Sequence, residues 1–399
     1  MAIRYVSRPG SARNVALAIG ALMLVSGPVA VARPTEPEPP RPRPAPAGTA
    51  LEAPGVRSNP GSQGTPAPPS DVSALSWVVA DAGSGEVLAA RDAHRKLPPA
   101  STLKTLFAVT TLPHLRSGTR HTVSEDELDG VGDGSSMVGV SAGQSYRVAD
   151  LWRGVFLSSG NDAVRVLAAM NGGVEDTVRQ MQAKARSLGA MDTHVVSPDG
   201  YDAEGQVSSA YDLAVFGRAG LTDPEFARYC ATELADFPGD GYVYPIQNTN
   251  RLLTGADGVA PYRGLIGVKN GYTTNAGNTL IAAAERDGRT IVVSVMNPQD
   301  GDGHAVYEEA RSLLNWGFEA VGHVRPVGSL LPPSAEPRPA AAPETAHVPA
   351  AESQDDSALP ASPGALAGAA GSAFVLTGLL VLRARRRRKA GRPDDWQED

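Results

Sequence analysis

The segment PPASTLKTLFAVTTL, residues 98–112, places a serine and a lysine three positions apart at the start of an apolar run. The two prolines favour the start of a helix, because their fixed backbone suits its first turn. Residues three apart on a helix share a face, so Ser101 and Lys104 are expected to touch. A desolvated lysine can take the proton of a hydroxyl and make it a nucleophile. Taken alone, the pair also fits an ordinary helix with a serine cap.

Two later segments carry polar groups at positions where regular structure is interrupted. The first is SSGND (158–162), which breaks a helix-forming run and puts Ser159 and Asn161 on a turn. A plain connection between two helices explains it equally well. The second is GVKNGYTTNAGNTLIAAA (267–284), where Lys269 precedes a glycine that lets another backbone approach a strand closely.

The three motifs follow the order Ser-x-x-Lys, Ser-x-Asn and Lys-x-Gly, each on the predicted element: a helix start, an inter-helix turn and a late strand. This set resembles that of the penicillin-binding proteins and serine β-lactamases. With SGNDAVRVLA, VVSPDGYDAEGQVSSAYDLA and NTNRLL, residues 73–321 resemble the D-alanyl-D-alanine carboxypeptidase family of low-molecular-mass penicillin-binding proteins. The resemblance implies a peptidoglycan stem pentapeptide as substrate and β-lactams as covalent inhibitors. Seven scattered histidines, without H-E-x-x-H or paired cysteines, give no metal signal, and no cofactor is expected.

The same resemblance implies roles for the catalytic residues. Ser101 is expected to be the acylated nucleophile and Lys104 its general base. Ser159 is expected to pass the proton towards the leaving amine, and Asn161 to hold the substrate amide. These residues form the catalytic part of the predicted site.

On the late strand, the resemblance implies that Lys269 sets the potential near the Ser159 hydroxyl and that Gly271 lies on the strand that pairs with the peptide. The oxyanion hole is expected to use the N–H groups of Ser101 and Thr273. Asn270 departs from the family pattern, in which Thr or Ser usually stands between Lys and Gly. Its amide can still donate to the terminal carboxylate of the substrate.

A second departure concerns the cation that some family members provide for that carboxylate. It is an arginine shortly after the second strand of the late hairpin. Here the stretch reads NPQDGDGHAVYEEA (297–310), and His304 is its sole cationic candidate before Arg311. The sequence therefore does not identify the residue that binds the terminal carboxylate of the substrate.

The pattern of apolar residues predicts the fold class. Hairpins are expected at 74–93 and 278–297, around Gly-Ser-Gly and Arg-Asp-Gly turns. Amphipathic helices are expected at 148–172, interrupted at the SSGN turn, at 177–190 and at 305–321. This order predicts an α+β, β-lactamase/transpeptidase-like fold: one antiparallel sheet from both chain ends, flanked by helices, with a helical subdomain.

The two ends of the chain predict export and membrane attachment. Arginines precede the short apolar run VALAIGALMLV (15–25), and Ala30 and Ala32 form a cleavage-site pattern. Near the other end, GALAGAAGSAFVLTGLLVL (364–382) approaches the length of a bilayer span and is followed by RARRRRK. We therefore expect a single-pass cell-membrane protein, exported by its signal peptide, with the catalytic domain outside the cytoplasm.

Composition completes the predicted organisation and limits the partners. The formal net charge is -7, without a basic stripe outside the tail, which argues against nucleic acid. The lone cysteine, Cys230, cannot form an internal disulfide. The expected segments are a signal peptide (1–32), a Pro-rich linker (33–72), the penicillin-binding domain (73–328), a Pro/Ala-rich linker (329–363), a transmembrane helix (364–382) and a cytoplasmic basic tail (383–399).

Two other functions are considered beside the carboxypeptidase. A serine β-lactamase shares the nucleophile but must also hydrolyse its acyl-enzyme quickly, and Glu204 is the lone candidate to activate water for that step. A catalytically impaired, membrane-tethered wall-binding protein would keep the cleft without turnover, and Asn270 is its best support. Release of D-alanine from a pentapeptide separates the active enzyme from the impaired one.

Overall fold

A seven-stranded antiparallel sheet is the centre of the computed structural model, which describes residues 50–59 and 66–332. The strands in the described residues are β1 (Val56–Ser58), β2 (Ser76–Asp81), β3 (Glu86–Arg91), β4 (Arg120–Thr122), β5 (Ser145–Arg147), β6 (Leu234–Pro238), β7 (Val243–Gln247), β8 (Leu265–Thr273), β9 (Gly277–Arg286), β10 (Arg289–Met296) and β11 (Gly328–Ser329). The main sheet runs in the order β1-β3-β2-β10-β9-β8, and β11 also pairs with β3. The predicted sheet from both ends of the domain is confirmed.

Helices cover both faces of this sheet. They are α1 (Lys104–Thr111), α2 (Val148–Leu157), α3 (Asn161–Met170), α4 (Val174–Ser187), α5 (Ala210–Leu221), α6 (Pro224–Cys230), α7 (Arg251–Thr254) and α8 (Ala305–Ala320). Helix α8 packs on one face, and α5 packs on the other with the helical subdomain beyond it. Alternation along β9 explains the two apolar cores, since Ile281 joins the core on the α5 side and Leu280 joins the core on the α8 side. The predicted α+β class is confirmed.

The two predicted hairpins are present as β2–β3 and β9–β10. The second has a two-residue turn at Asp287 and Gly288, both with left-handed backbone, φ 51° and 72°. Such a turn matches the twist of the flanking strands. Two smaller two-stranded sheets, β4–β5 and β6–β7, are absent from the sequence expectations, because their strands have at most five residues and mostly exposed side chains.

The described part of the predicted linker 33–72 contains ordered structure. Val56–Ser58 pairs with β3, and Leu51 is 3% exposed. At the other end of the domain, Leu330 is 1% exposed within the predicted linker 329–363. These contacts cannot be predicted from a proline-rich composition. An edge strand of three residues forms because a partner strand is available, and its own residue pattern gives no signal.

The predicted signal peptide, transmembrane helix and basic tail lie outside the described residues. Within residues 50–59 and 66–332, the helices are too short or too polar to span a bilayer.

Candidate active site

The nucleophile candidate lies in a tight turn just before α1. Residues Ala100–Leu103 form a 3₁₀ helix, and Lys104 begins α1. Positions i and i+3 of a 3₁₀ helix lie directly above one another, and the Lys104 Nζ is accordingly 2.7 Å from the Ser101 Oγ. Neither helix has a side-chain cap, so the interpretation of Ser101 as an ordinary cap is wrong. The three-residue spacing of Ser101 and Lys104 brings their side chains into contact.

Lys104 is enclosed by the protein, with 1% of its surface exposed. Its Nζ also donates to the Asp199 carbonyl oxygen at 2.7 Å. Burial lowers its pKa to about 8, against the opposing charges of Asp199 and Asp162. A neutral amine is thus accessible near physiological pH, as a general base requires.

The SSGND segment forms the break between α2 and α3. Ser159 has left-handed backbone, φ 59°, and the N–H of Asn161 donates to the Ser136 carbonyl at 2.8 Å. Ser159 and Asn161 are 7% and 3% exposed, yet the Ser159 Oγ and the Asn161 Oδ1 have no hydrogen-bond partner among the described residues. Buried polar atoms are almost always satisfied, so these two atoms are suited to a ligand.

Asp162, the next residue, fixes the backbone of residues 138–140. Its carboxylate accepts the backbone N–H groups of Val138, Gly139 and Val140, at 2.7–3.1 Å. Residues 138–140, which lie beside the Ser159 turn, are therefore held to the start of α3. This role cannot be predicted from the sequence, because any three residues can supply backbone N–H groups.

On β8, Lys269 is 1% exposed and its Nζ donates to the Asn270 carbonyl at 2.8 Å. Burial, and then the charge of Lys104, hold its pKa well below the usual value. A Cβ built on Gly271 would stand 2.6 Å from the Ser101 nitrogen. Glycine is needed here because the strand packs directly against the nucleophile turn.

The register of the sheet decides which N–H groups of β8 face outwards. Residues of an antiparallel strand alternate between those that bond to one neighbour and those that face the other side. Arg286 and Arg289 flank the two-residue turn as a bonded pair, and the Asn297 N–H donates to the Asn278 carbonyl at 2.8 Å. Even-numbered residues of β9 therefore bond to β10, and odd-numbered residues bond to β8.

Thr273 lies opposite Gly277, so its N–H points into the ladder between β8 and β9. Tyr272 lies opposite Asn278, so its N–H points to the other edge of β8, which pairs with no further strand among the described residues and which we call its free edge. The prediction of Thr273 as an oxyanion donor is therefore wrong, and Tyr272 has the suitable orientation. The direction of each N–H on β8 depends on the register with β9, which the sequence does not reveal. The Thr273 side chain instead donates to Asp202 at 2.7 Å.

Asn270 belongs to a polar network that also brings in a cation. Its Oδ1 accepts the Thr249 hydroxyl at 3.0 Å, and the Thr249 carbonyl accepts the Tyr307 hydroxyl at 3.3 Å. Arg251 donates to that same Tyr307 oxygen at 3.3 Å and to Asp257 at 2.6 Å. Arg251 stands in the NTNRLL segment, but its role cannot be predicted from the sequence, because only the fold brings it near β8.

The nucleophile turn, the Ser159 turn and β8 define a serine-dependent acyl-transfer site on a penicillin-binding fold. Comparison with known proteins agrees: residues 62–300 match the model of the D-alanyl-D-alanine carboxypeptidase family. The chain belongs to that family, and it is a serine-type peptidase. The family and fold predicted from the motifs are confirmed.

Several known proteins are similar to this chain. The D-alanyl-D-alanine carboxypeptidase DacB2 of Mycobacterium tuberculosis is 41% identical over 65% of this chain and 87% of its own length. The carboxypeptidase DacD of Escherichia coli is 35% identical over 63% of this chain and 65% of its own length. Among solved structures, a D-alanyl-D-alanine carboxypeptidase from Mycobacterium tuberculosis matches with a TM-score of 0.61 and 38% identity, covering 68% of this chain and all of the other. The Streptomyces K15 DD-transpeptidase matches with a TM-score of 0.58 and 25% identity, covering 63% and 99%.

Proposed function

We propose that this peptidase removes the terminal D-alanine of a peptidoglycan stem pentapeptide through an ester on Ser101. The observation that carries the assignment is the buried Lys104 amine, 2.7 Å from the Ser101 Oγ. In its neutral form the amine accepts the hydroxyl proton while the oxygen bonds to the carbonyl carbon of the penultimate D-alanine. The carbonyl oxygen then bears the negative charge of a tetrahedral intermediate.

Two backbone N–H groups can stabilise that charge. One belongs to Ser101, in the first turn of a helix, where N–H groups have no intrahelical partner. The other belongs to Tyr272, at the free edge of β8. Fixed donors of this kind favour the transition state, because they require little reorganisation as the charge develops.

Collapse of the intermediate breaks the amide bond, and the leaving D-alanine nitrogen must receive a proton. The Ser159 hydroxyl is suited to deliver it and to take up in return the proton that Lys104 removed from Ser101, since it is buried and has no partner among the described residues. Lys269 acts here by position rather than by charge, since its buried amine donates to the Asn270 carbonyl on β8 and burial holds its pKa well below the usual value. Water then attacks the ester, and the Lys104 amine takes the proton of the water and returns it to the Ser101 oxygen as the shortened peptide leaves.

The terminal carboxylate of the substrate needs a cationic or hydrogen-bonding partner. The Asn270 amide, whose oxygen is engaged by Thr249, presents its nitrogen as a donor. Arg251 adds a positive charge to the same network through Tyr307. We assign the carboxylate subsite to Asn270 and Arg251. His304 is less suited, because its backbone and ring both lie against Asp302.

Intact-mass measurement after incubation with a β-lactam tests the nucleophile. The protein should gain one adduct, and Ser101→Ala should gain none. D-Alanine release from a pentapeptide then tests turnover and separates the peptidase from an impaired wall-binding protein. Absence of both adduct and D-alanine would refute the proposal. Rapid loss of the adduct would instead favour a β-lactamase, although Glu204 is exposed and lies in a loop.

We further propose that the catalytic domain lies outside the cytoplasm on a single membrane span. The support is the apolar run 364–382 with its polybasic flank, and the export pattern of residues 1–32. Protease added to protoplasts should digest the domain and spare an epitope placed after Trp396. Protection of the domain from protease would exclude this orientation.

A further inference from the structure

Asp202 joins two parts of the site that the mechanism treats separately. We propose that it is a positioning residue: it latches the loop that contacts Lys104 to the strand that carries the Tyr272 N–H. The hydrogen bond between Asp202 and Thr273 then fixes the position of Lys104, the base, relative to the Tyr272 N–H, the oxyanion donor. This inference rests on the proposed function.

The loop of residues 196–206, which we call the base loop, reaches Lys104 directly. The Asp199 carbonyl accepts the Lys104 Nζ at 2.7 Å. The Asp199 carboxylate accepts the Ser197 hydroxyl and the Tyr201 N–H, at 2.8 and 2.9 Å. Gly200, with φ 83°, packs so closely on the Ala100 carbonyl that no Cβ would fit. The base loop therefore contacts the nucleophile turn at its first residue, Ala100, and at Lys104, which follows its last residue.

Internal hydrogen bonds make the base loop one unit. The buried Gln206 side chain accepts the N–H groups of Val196 and Ser197, at 3.0 and 2.7 Å, and donates to the Tyr201 carbonyl at 2.6 Å. A displacement at one point of such a closed loop moves the Asp199 carbonyl as well. The position of Asp202 is thus linked to that of Asp199.

Asp202 fixes this unit to the turn between β8 and β9. Its Oδ1 accepts the Thr273 hydroxyl at 2.7 Å, and its Oδ2 accepts the Asn275 N–H at 3.2 Å. The Thr273 oxygen in turn accepts the Ala276 N–H at 3.1 Å. Charge-assisted hydrogen bonds of this kind are stronger than neutral ones.

Packing between the base loop and the turn is incomplete. A cavity of about 30 Å³, large enough for a water molecule, lies there and is lined by Pro99, Asp202 and Asn275 among others. The attachment of the loop to the turn therefore depends on the Asp202 hydrogen bonds. Because Thr273 directly follows Tyr272, loosening this contact should disturb the oxyanion donor together with the Lys104 contact.

The test is a double-mutant cycle on the rate of acylation by a β-lactam, with D-alanine release as a second readout. Thr273→Val removes the donor and keeps the shape, and Asp202→Ala removes the acceptor. We expect each change to lower kcat by about tenfold or more with KM nearly unchanged, because positioning acts on the transition state. The double variant should be no slower than the slower single variant. Thr273→Ser, which keeps the hydroxyl, should restore the rate.

Thr274→Val beside Thr273 is the matched control, since its side chain is exposed, and it should behave like the wild type. If the fold-losses in acylation rate of the two single variants multiplied in the double variant, the two residues would act independently and the proposal would be overturned. A wild-type rate in Thr273→Val would overturn it too, even if Asp202→Ala failed to fold. A wild-type protein that forms no adduct and releases no D-alanine would instead refute the proposed function, so the two failures are distinguishable.

Discussion

The Lys104 Nζ lies 2.7 Å from the Ser101 Oγ where the 3₁₀ helix meets α1, and Lys104 itself is buried. This relationship joins a nucleophile to a base whose pKa is lowered by burial. It makes the rate of acylation dependent on pH in a definite direction. The neutral amine is the reactive form, so alkaline conditions should favour the first step.

Acylation by a β-lactam should therefore rise as the pH increases through about 8, the pKa of Lys104, and then level off. The sign follows from burial, which disfavours the charged amine and lowers the pKa from its ordinary value. Stopped-flow rates between pH 6 and 10 would check this. Lys104→Ala should form no adduct at any pH, because the Ser101 hydroxyl then keeps its proton. A rate that falls with rising pH would contradict the assignment of Lys104 as base.

Tyr272→Pro tests the register of β8. Proline removes an N–H that faces the free edge, and edge positions tolerate this change. We expect kcat to fall by about 10²–10³, the usual effect of losing one oxyanion donor. Tyr272→Ala, which keeps the N–H, is the matched control and should lose little. Equal activity of the two variants would show that this N–H does not stabilise the oxyanion. Circular dichroism should verify that both variants fold.

Asn270→Ala should raise the KM for the peptide and leave kcat within about an order of magnitude, because the carboxylate contact is made in both the bound and the transition state. A loss of roughly 1.5–3 kcal/mol is expected for a hydrogen bond to a charged group. Asn270→Thr should shift KM in the same assay with a smaller effect on kcat. An unchanged KM in Asn270→Ala would show that the carboxylate is held elsewhere.

Arg251→Gln should weaken the preference for a free terminal carboxylate over a terminal amide. Arg311→Gln is the control, because Arg311 lies on α8 and pairs with Glu308. Comparing kcat/KM for the acid and amide forms of one peptide measures the effect. If the acid-to-amide ratio of Arg251→Gln matched the wild type, Arg251 would serve only to hold Tyr307.

Lys269→Met should make the protein more stable while impairing catalysis. The Lys269 amine is buried near Lys104, and both effects disfavour its charge. The lowered pKa means that the cost of this burial is felt below the folded-state pKa and diminishes as the pH rises above it. Melting temperature at pH 6 should rise, by about 2–4 °C for each 1 kcal/mol gained. A lower melting temperature would show that its hydrogen bond to Asn270 outweighs the desolvation.

Short-range patterns in the sequence were sufficient to predict much of the fold. The β9–β10 hairpin follows from alternating apolar residues around Asp287 and Gly288, both features that a few neighbouring residues decide. The short strand β1 could not be predicted in the same way. Its three residues are held by β3, a partner far along the chain, and they stand in a proline-rich context.

The chemical groups of the site can be read from the residue order: a serine and lysine one turn apart, a hydroxyl and amide on a helix break, and a lysine and glycine on a strand. Spacing within one element suffices for that. Folding was needed to show that the Tyr272 N–H faces outwards, that the Asp199 carbonyl binds Lys104, and that Arg251 is linked to Asn270. The physical reason is that register, burial and contacts between distant segments arise when elements pack, and the local residue pattern carries no record of them.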